Sequence, residues 1–298
     1  MAKLEHGEAN CRLTLGGAPF RPYLSLEMTN HGLVVCGASN IGLVRDHNED
    51  TYVIADLHSG EISSPCARTD IPIPQDGLLM LVCDGMGGHA AGEVAARVAA
   101  DSIKRRLVDE GSAVTRHPSE SLEAAVAGAN QAVRAEVVAH PERKGMGTTC
   151  TAALVLPKSL VVANVGDSRA YLYRDSRLQP LTRDQSVVSQ LLESGVLRPE
   201  NVEHHPLRHV LLQAIGTSAQ VEPAITEVAL QAGDRILVCS DGLHGCVSAD
   251  EIASTLHDTP DVAQATRKLV DLALRAGGPD NVTVLVADWP QNDNVARA

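Results

Sequence analysis

Four short, almost entirely apolar segments constrain the fold of this chain more than any other feature. They are residues 77–83, 159–165, 235–239 and 282–287. A strand with one face in water alternates apolar and polar residues, whereas a strand covered on both faces does not. These segments therefore predict an inner β layer. The pattern fits two sheets packed together with helices outside, and it fits equally well one sheet between two layers of helices.

Three further segments carry apolar residues at the three- and four-residue spacing of a helix. They are residues 91–107, residues 122–137 and a segment that starts near residue 262. The third pattern stops at the Gly-Gly-Pro sequence of 277–279, which is typical of a helix end. We therefore expect two helices after early strands and one helix before the last strand.

The order of these segments predicts a single domain, because no stretch resembles an interdomain linker. We assign residues 31–290 to this domain, residues 1–30 to an N-terminal extension and residues 291–298 to a tail. Residues 58–76 contain three prolines and little periodicity, which predicts a surface loop between two strands.

The charge and cysteine content exclude several classes of partner and indicate a compartment. The chain has 25 Lys and Arg against 37 Asp and Glu, a formal charge of −12, which argues against binding of nucleic acid or anionic membranes through overall charge. Its seven cysteines lack CxxC spacing and several lie in apolar runs, as buried thiols of a reducing compartment do. No stretch of about 18 apolar residues occurs. We therefore expect a cytoplasmic protein without a membrane-spanning segment.

Acidic residues recur at the ends of the apolar segments. Asp84, Asp167 and Asp241 follow such segments, whereas Asp280 and the pair Glu49-Asp50 precede others. In neighbouring antiparallel strands the start of one strand lies beside the end of the next. We therefore expect these carboxylates to gather at one edge of the sheets, although an Asp-Gly pair taken alone is more typical of a turn.

Such a gathering requires cations. Two carboxylates about 4 Å apart repel by about 4 kcal/mol at an effective dielectric of 20. Ligation by oxygen alone favours hard ions such as Mg²⁺ or Mn²⁺. Because Gly85 follows Asp84 and has no side chain, its backbone carbonyl can approach an ion closely.

Seven short motifs occur in an order and spacing that resemble the PP2C (PPM) family of metal-dependent serine/threonine protein phosphatases, in its bacterial form. The resemblance covers residues 33–289. The motifs are Arg45-Asp46-His47-Asn48-Glu49-Asp50, Asp84-Gly85-Met86-Gly87-Gly88-His89, Gly147-Thr148-Thr149, Gly166-Asp167-Ser168-Arg169, Leu181-Thr182-Arg183-Asp184, Ser240-Asp241-Gly242-Leu243 and Pro279-Asp280-Asn281.

The resemblance implies an α+β fold, a four-layer α-β-β-α sandwich with two central antiparallel sheets and a flap at about 182–216 that contacts substrate. It implies two or three Mn²⁺ or Mg²⁺ ions at one end of the sandwich. In this reading Asp84 bridges two ions, Asp167 and Asp241 share a third, weaker ion, and Arg45 holds the substrate phosphate. The complete set of metal ligands it implies is Glu49, Asp50, Asp84, Gly85, Asp167, Asp241 and Asp280.

The activity implied is hydrolysis of phosphoserine and phosphothreonine in proteins by metal-bound hydroxide, opposing a Ser/Thr kinase. Two alternatives remain, a catalytically silent binding module of the same fold and an esterase acting on small phosphates. Met86 departs from the eukaryotic pattern, in which a histidine follows the Asp-Gly pair as the proposed general acid. Neither His47 nor His89 matches that position, so the proton donor is left unassigned.

Overall fold

In the computed structural model of this chain, the described residues are 32–60, 69–71, 75–87, 91–202 and 205–290. The strands among them are β1 (Leu33–Asn40), β2 (Asp50–Asp56), β3 (Thr69–Ile71), β4 (Leu78–Met86), β5 (Gly147–Thr148), β6 (Cys150–Val155), β7 (Ser159–Val165), β8 (Arg169–Arg174), β9 (Arg177–Pro180), β10 (Ala224–Ala229), β11 (Arg235–Cys239) and β12 (Val282–Asp288). The α-helices among them are α1 (Ala91–Glu110), α2 (Pro118–Ala139), α3 (Val187–Glu193), α4 (Asp241–His244), α5 (Ala249–Asp258) and α6 (Val262–Arg275).

The strands form two antiparallel sheets. One has the order β3-β1-β12-β11-β8-β9, and the other has the order β10-β7-β6-β4-β2, with β5 added beside β4. Each inner strand therefore has a partner on both edges, and its side chains point alternately to the two faces of its sheet.

Three apolar cores divide the molecule into four layers. Met80 and Val82 of β4 pack in the core between the sheets, with Ile236 of β11. The alternate residues of β4, such as Leu81, pack on the opposite face in the core that contains α1 and α2. A third core joins the first sheet to α4, α5 and α6, including Leu269. The structure thus confirms the α-β-β-α sandwich and decides between the two layer arrangements that the apolar strands left open.

The three periodic helices are confirmed as α1, α2 and α6. Helix α5 was not predicted, although it begins with a capping box in which Ser248 and Glu251 bond each other's backbone N–H groups. Strand β4 extends past the predicted end at Cys83 to Met86, because β5 pairs with Gly85 and Met86. The expected loop at 58–76 contains the short edge strand β3, which pairs with β1.

Three sequence predictions fall outside the described residues: the extension 1–30, the tail 291–298 and His89. Within the described ranges, no helix is long and apolar enough to cross a membrane. Cys83, Cys150, Cys239 and Cys246 are free thiols, and Cys83 and Cys239 are fully buried in their strands, as expected.

Candidate functional site

The acidic residues gather at one end of the two sheets. Asp50 at the start of β2 lies directly opposite Asp84 on β4 in the antiparallel register. Asp241 begins α4 immediately after β11, and Asp280 lies just before β12, which is the neighbour of β11. The loop between β7 and β8 adds Asp167. The strand ends therefore meet at one edge, as the sequence predicted.

These side chains surround a cleft of about 580 Å³. Its lining includes the predicted site residues Arg45, Glu49, Asp84, Gly85, Asp167, Asp241 and Asp280. Asp50 lies behind the lining and is buried. Two side chains of the region between β9 and β10, His209 and Leu211, also line the cleft.

Asp50 is held from behind by two hydroxyl groups. Its Oδ2 accepts hydrogen bonds of 2.7 Å from Ser240 Oγ and from Thr283 Oγ1. Its Oδ1 is buried and has no hydrogen-bond partner among the described residues. Burial, partly offset by the two hydroxyls, raises the pKa of Asp50 to about 7. A buried carboxylate oxygen without a donor is costly, and a cation would satisfy it.

The other acids experience a similar environment. Burial and then the neighbouring acids Asp50 and Asp241 raise the pKa of Asp84 well above its usual value. Burial and then Asp241 raise the pKa of Asp167 to about 7. Burial likewise raises the pKa of Asp241, whose Oδ1 is a second buried atom without a partner, and that of Glu49. All five acids therefore ionise less readily than in water until positive charge arrives.

Two glycines allow the acid-bearing segments to touch. A Cβ on Gly85 would clash with the backbone carbonyl of Gly92 at the start of α1 and would lie 2.7 Å from the carbonyl oxygen of Glu49. A Cβ on Gly242 would clash with the carbonyl of Asn281. The missing side chains thus bring β4 against the Glu49 loop, and α4 against the segment that carries Asp280.

Arg45 lies on the loop between β1 and β2, and its side chain is 54% exposed. Its Nη2 donates a hydrogen bond of 2.7 Å to Asp280 Oδ2. This ion pair was not predicted, because Arg45 and Asp280 were assigned to phosphate and to metal respectively. The pair raises the pKa of Arg45, chiefly through the hydrogen bond to Asp280, so Arg45 remains a cation.

Asn281 was present in a quoted motif but was given no role. Its Nδ2 donates to the backbone carbonyls of Ile41 and His47, both at 2.9 Å, and its Oδ1 accepts from the backbone N–H of Glu49 at 2.8 Å. One buried side chain therefore fastens both ends of the loop that presents Arg45. In the sequence, Asn281 is only an isolated amide before an apolar strand. Such a residue is equally typical of a turn, so the sequence alone does not indicate this role.

We expect Asn281→Asp to loosen this loop specifically. The substitution keeps the size of the side chain but replaces the Nδ2 donor with an acceptor facing two carbonyl oxygens. The free energy of unfolding should fall by about 2–3 kcal/mol, measured by urea denaturation. Amide hydrogen exchange of Leu43 and Glu49 should accelerate.

Asn130→Asp is the matched control. The buried amide of Asn130 makes the same set of three bonds, to the carbonyls of Ser218 and Ala219 and from the N–H of Gly216. The Asn130→Asp variant should destabilise the fold similarly without changing amide hydrogen exchange at Leu43 or Glu49. Equal exchange in the two variants would contradict the fastening role.

A hydroxyl chain connects β4 to the loop of Asp167. The backbone N–H of Asp84 donates to Thr149 Oγ1 at 2.9 Å, and Thr149 Oγ1 lies 2.8 Å from Ser168 Oγ. The start of the predicted flap is tied to the same loop by a bidentate pair in which Arg169 donates two 2.7 Å bonds to Asp184. The positions of Asp84, Asp167 and the flap base are therefore coupled.

The region 182–216 contains α3, which begins at Val187 and ends at Glu193, two residues before Gly195 with its φ of +71°. Apart from the acids, the titratable side chains among the described residues that line the cleft are Arg45, His47 and His209. Met86 also lines it and has no proton to donate. Substrate contact by the flap remains a prediction.

In the part of the chain that the structure describes, no three His, Cys, Asp or Glu side chains already form a ligand set for a metal ion. The acids share the cleft, and one of them, Asp280, is paired with Arg45. The donor set nevertheless suits a hard divalent cation, because it consists of oxygen atoms, two of them buried without partners.

Comparison with known proteins identifies the class to which this fold and cleft belong. Residues 70–281 match the family model described as Protein phosphatase 2C. The chain belongs to the protein phosphatase 2C family.

Two curated relatives carry this family's activity in their names. The serine/threonine protein phosphatase PstP of Mycobacterium tuberculosis is 41% identical over 252 residues, which are 84% of this chain and 44% of PstP. This chain therefore spans less than half the length of PstP. The serine/threonine phosphatase stp of Listeria monocytogenes is 33% identical over 251 residues, which are 83% of this chain and 92% of stp.

Solved structures agree with the fold. The catalytic domain of PstP in complex with two manganese ions matches with a TM-score of 0.71 at 38% identity, covering 86% of this chain and 98% of that domain. Stp1 of Staphylococcus aureus matches with a TM-score of 0.76 at 32% identity, covering 92% of this chain and 99% of Stp1. The α-β-β-α architecture is thus that of bacterial members of the family.

Proposed function

We propose that this protein is a metal-dependent serine/threonine protein phosphatase that reverses the action of a protein kinase. The observation that carries the proposal is the meeting of Asp84, Asp167, Asp241 and Asp280 in one cleft with an exposed arginine at its edge. Relatives named as serine/threonine phosphatases support it. The free thiols of Cys83, Cys150, Cys239 and Cys246 fit the cytoplasm as the place of action.

The residues that would hold two or three Mn²⁺ or Mg²⁺ ions are Glu49, Asp50, Asp84, Gly85, Asp167, Asp241 and Asp280. Burial raises the pKa values of Asp50, Asp84 and Asp167, so these acids are costly to ionise alone and a divalent cation that replaces the proton offsets that cost. When bound, divalent ions lower the pKa of water and neutralise phosphate charge, which is the chemistry needed to hydrolyse a phosphomonoester. The ions bound in the PstP domain are manganese.

The chain's own residues orient the reaction. Arg45 offers a planar guanidinium with five N–H donors, of which Nη2 serves Asp280, and it can grip two oxygens of a phosphate. Asn281 holds the loop that presents Arg45. Ser240 and Thr283 hold Asp50. These contacts fix the donors before substrate arrives, which lowers the entropic cost of reaching the transition state.

A catalytically silent binding module of the same fold would lack the acids that hold metal. Every predicted acid is present and, Asp50 excepted, lines the cleft, so this alternative has no support in the described residues. An esterase of small phosphates would use the same cleft. The two activities are separated by the substrate, not by the metal site.

The deciding assay is release of phosphate from a phosphothreonine peptide. We expect turnover in millimolar Mn²⁺, loss of activity after treatment with chelator, and recovery when Mn²⁺ or Mg²⁺ is restored. Because the ions relieve repulsion among buried acids, chelation should also lower the melting temperature. Activity that persists in excess chelator, with an unchanged melting temperature, would contradict the proposal.

A further inference from the structure

Large apolar side chains that remain exposed are concentrated in two segments that also contribute residues to the cleft. The described residues contain eight of them: Ile41, Leu43, Val44, Val138, Val196, Leu207, Val210 and Leu212. Three lie in the loop that carries Arg45, and four lie in the region 182–216. Only Val138, on α2, lies in neither segment.

Both segments border the cleft. Val44 lines it beside Arg45, while His209 and Leu211 line it from the other segment. Arg208 and His209 also line a second cleft of about 650 Å³, which adjoins the first at Arg45. Since successive Cα atoms are 3.8 Å apart, Leu43 and Leu207 lie within a few Å of residues that line these clefts.

The backbone holds both segments in place. The N–H of Leu43 donates to the carbonyl of Gly278 at 2.8 Å, and the N–H of Leu212 donates to the carbonyl of Gln185 at 2.7 Å. Val44 and Leu43 are each 67% exposed, so the fold gains little from their apolar character. Clustered exposed apolar residues mark sites of interaction. Val196 lies twelve residues from the nearest cleft-lining residue of its segment, Arg208, so it is set apart from the others. The remaining six each lie within three residues of a cleft-lining residue, and we call these six the apolar rim: Ile41, Leu43, Val44, Leu207, Val210 and Leu212.

The position of the apolar rim indicates its occupant. A small phosphorylated metabolite fits entirely inside the cleft and does not reach the surface around it. A phosphorylated residue of a protein, in contrast, enters the cleft by its side chain while its polypeptide continues on both sides across the surrounding surface. Resting on the phosphatase activity proposed above, we propose that the apolar rim binds apolar side chains adjacent to the phosphorylated residue, so that the substrates are extended protein segments with such neighbours.

The expected effect is a substrate preference. A difference of one methylene group in an apolar pocket changes kcat/KM by roughly 10- to 200-fold. The apolar rim is open to water, so we expect a preference near the lower end, about tenfold. The preference should appear mainly in KM, because these contacts are present before the transition state and persist in it.

The test compares three substrates in saturating Mn²⁺. Two are phosphothreonine peptides of equal length and charge, one with Leu and Val flanking the phosphothreonine and the other with Ser and Asn. The third is p-nitrophenyl phosphate, which reports hydrolysis without a polypeptide. Wild-type protein is compared with Val44→Asn and Leu207→Asn in the apolar rim and with Val138→Asn as the control, since Val138 is 81% exposed on α2.

The wild type should favour the apolar peptide about tenfold in kcat/KM. That ratio should fall toward one in Val44→Asn and Leu207→Asn and remain about tenfold in Val138→Asn. All three variants alter exposed side chains, so their melting temperatures should match the wild type, which separates a binding effect from misfolding.

A wild-type ratio of one, or a ratio that both apolar-rim variants leave unchanged, would overturn the inference while leaving phosphatase activity intact. If none of the three substrates is hydrolysed, that result would instead overturn the proposed function, and the inference with it. Sedimentation gives a further check. A wild-type dimer that Val44→Asn or Leu207→Asn dissociates would assign the apolar rim to self-association and overturn its role in substrate binding.

Discussion

Asp84→Asn should abolish turnover and leave the fold intact. Asp84 lies at the convergence of the acidic strand ends, opposite Asp50 in register, and its raised pKa reflects burial and then its acidic neighbours. An amide offers one neutral oxygen in place of two charged ones and cannot hold two cations. We expect the rate on a phosphothreonine peptide to fall by at least three orders of magnitude, because metal chemistry supplies most of the activation of water.

Metal binding and stability provide readouts that do not depend on turnover. Mn²⁺ titration by calorimetry should show at least one site lost. A carboxyl whose pKa is raised in the folded state lowers stability as pH rises above its unfolded pKa, whereas an amide does not. In chelator at pH 7.5, Asp84→Asn should therefore melt no lower than the wild type.

The control for Asp84→Asn is Asp234→Asn, at the opposite end of β11 from Asp241. Asp234 is also buried, but it is paired with Arg174, and it lies outside the cleft. It should destabilise the protein and preserve Mn²⁺ binding. More than about a tenth of normal turnover by Asp84→Asn in saturating Mn²⁺ would contradict its role.

Arg45→Ala should separate the gripping of phosphate from the binding of metal. A charge-assisted bidentate contact contributes about 1.5–3 kcal/mol, so kcat/KM for a phosphopeptide should fall roughly 10- to 100-fold. The ion pair with Asp280 adds a second expectation, because removing Arg45 frees Asp280 Oδ2. Mn²⁺ affinity should then remain equal or increase slightly.

Arg45→Lys should recover only part of the loss in kcat/KM, since an ammonium group lacks the planar fork. Arg97→Ala is the matched control, because Arg97 is similarly exposed and pairs with a carboxylate, Glu93, on α1. It should change neither kcat/KM nor metal affinity. Weakened Mn²⁺ binding in Arg45→Ala, with normal kinetics at saturating metal, would mean that Arg45 organises the metal loop instead.

The Arg45–Asp280 pair also links the two proposed roles of the cleft, which are the binding of metal and the binding of phosphate. A cation that takes Asp280 Oδ2 competes with the guanidinium, so metal binding should free Arg45 for phosphate. Phosphate and metal should consequently bind with positive cooperativity, a reciprocal relation between the two sites. The Arg45→Ala protein lacks this competition, which is why its metal affinity distinguishes the two roles of the side chain.

Much of the fold could be predicted because its signals are local. The uniformly apolar runs identified inner strands, since burial on both faces leaves no polar alternation. The three- and four-residue spacing identified α1, α2 and α6. Asp84, Asp241 and Asp280 stand beside apolar runs in the sequence, and antiparallel pairing then predicted that they gather at one edge. Helix α5 was missed even though its capping box lies in the sequence at Ser248 and Glu251.

The partners within the site were decided by the tertiary structure. Asp50 accepts bonds from Ser240 and Thr283, which are 190 and 233 residues distant, and Arg45 pairs with Asp280 across 235 residues. No local period encodes such pairs, because they depend on how the ends of two stacked sheets and their loops come together. By itself the sequence determined which residues are acidic, apolar or small at each strand end. Only the stacking of the sheets decided which acids are buried, which carboxylate oxygens lack a donor and which acid Arg45 reaches, since each of these depends on contacts between segments far apart in the chain.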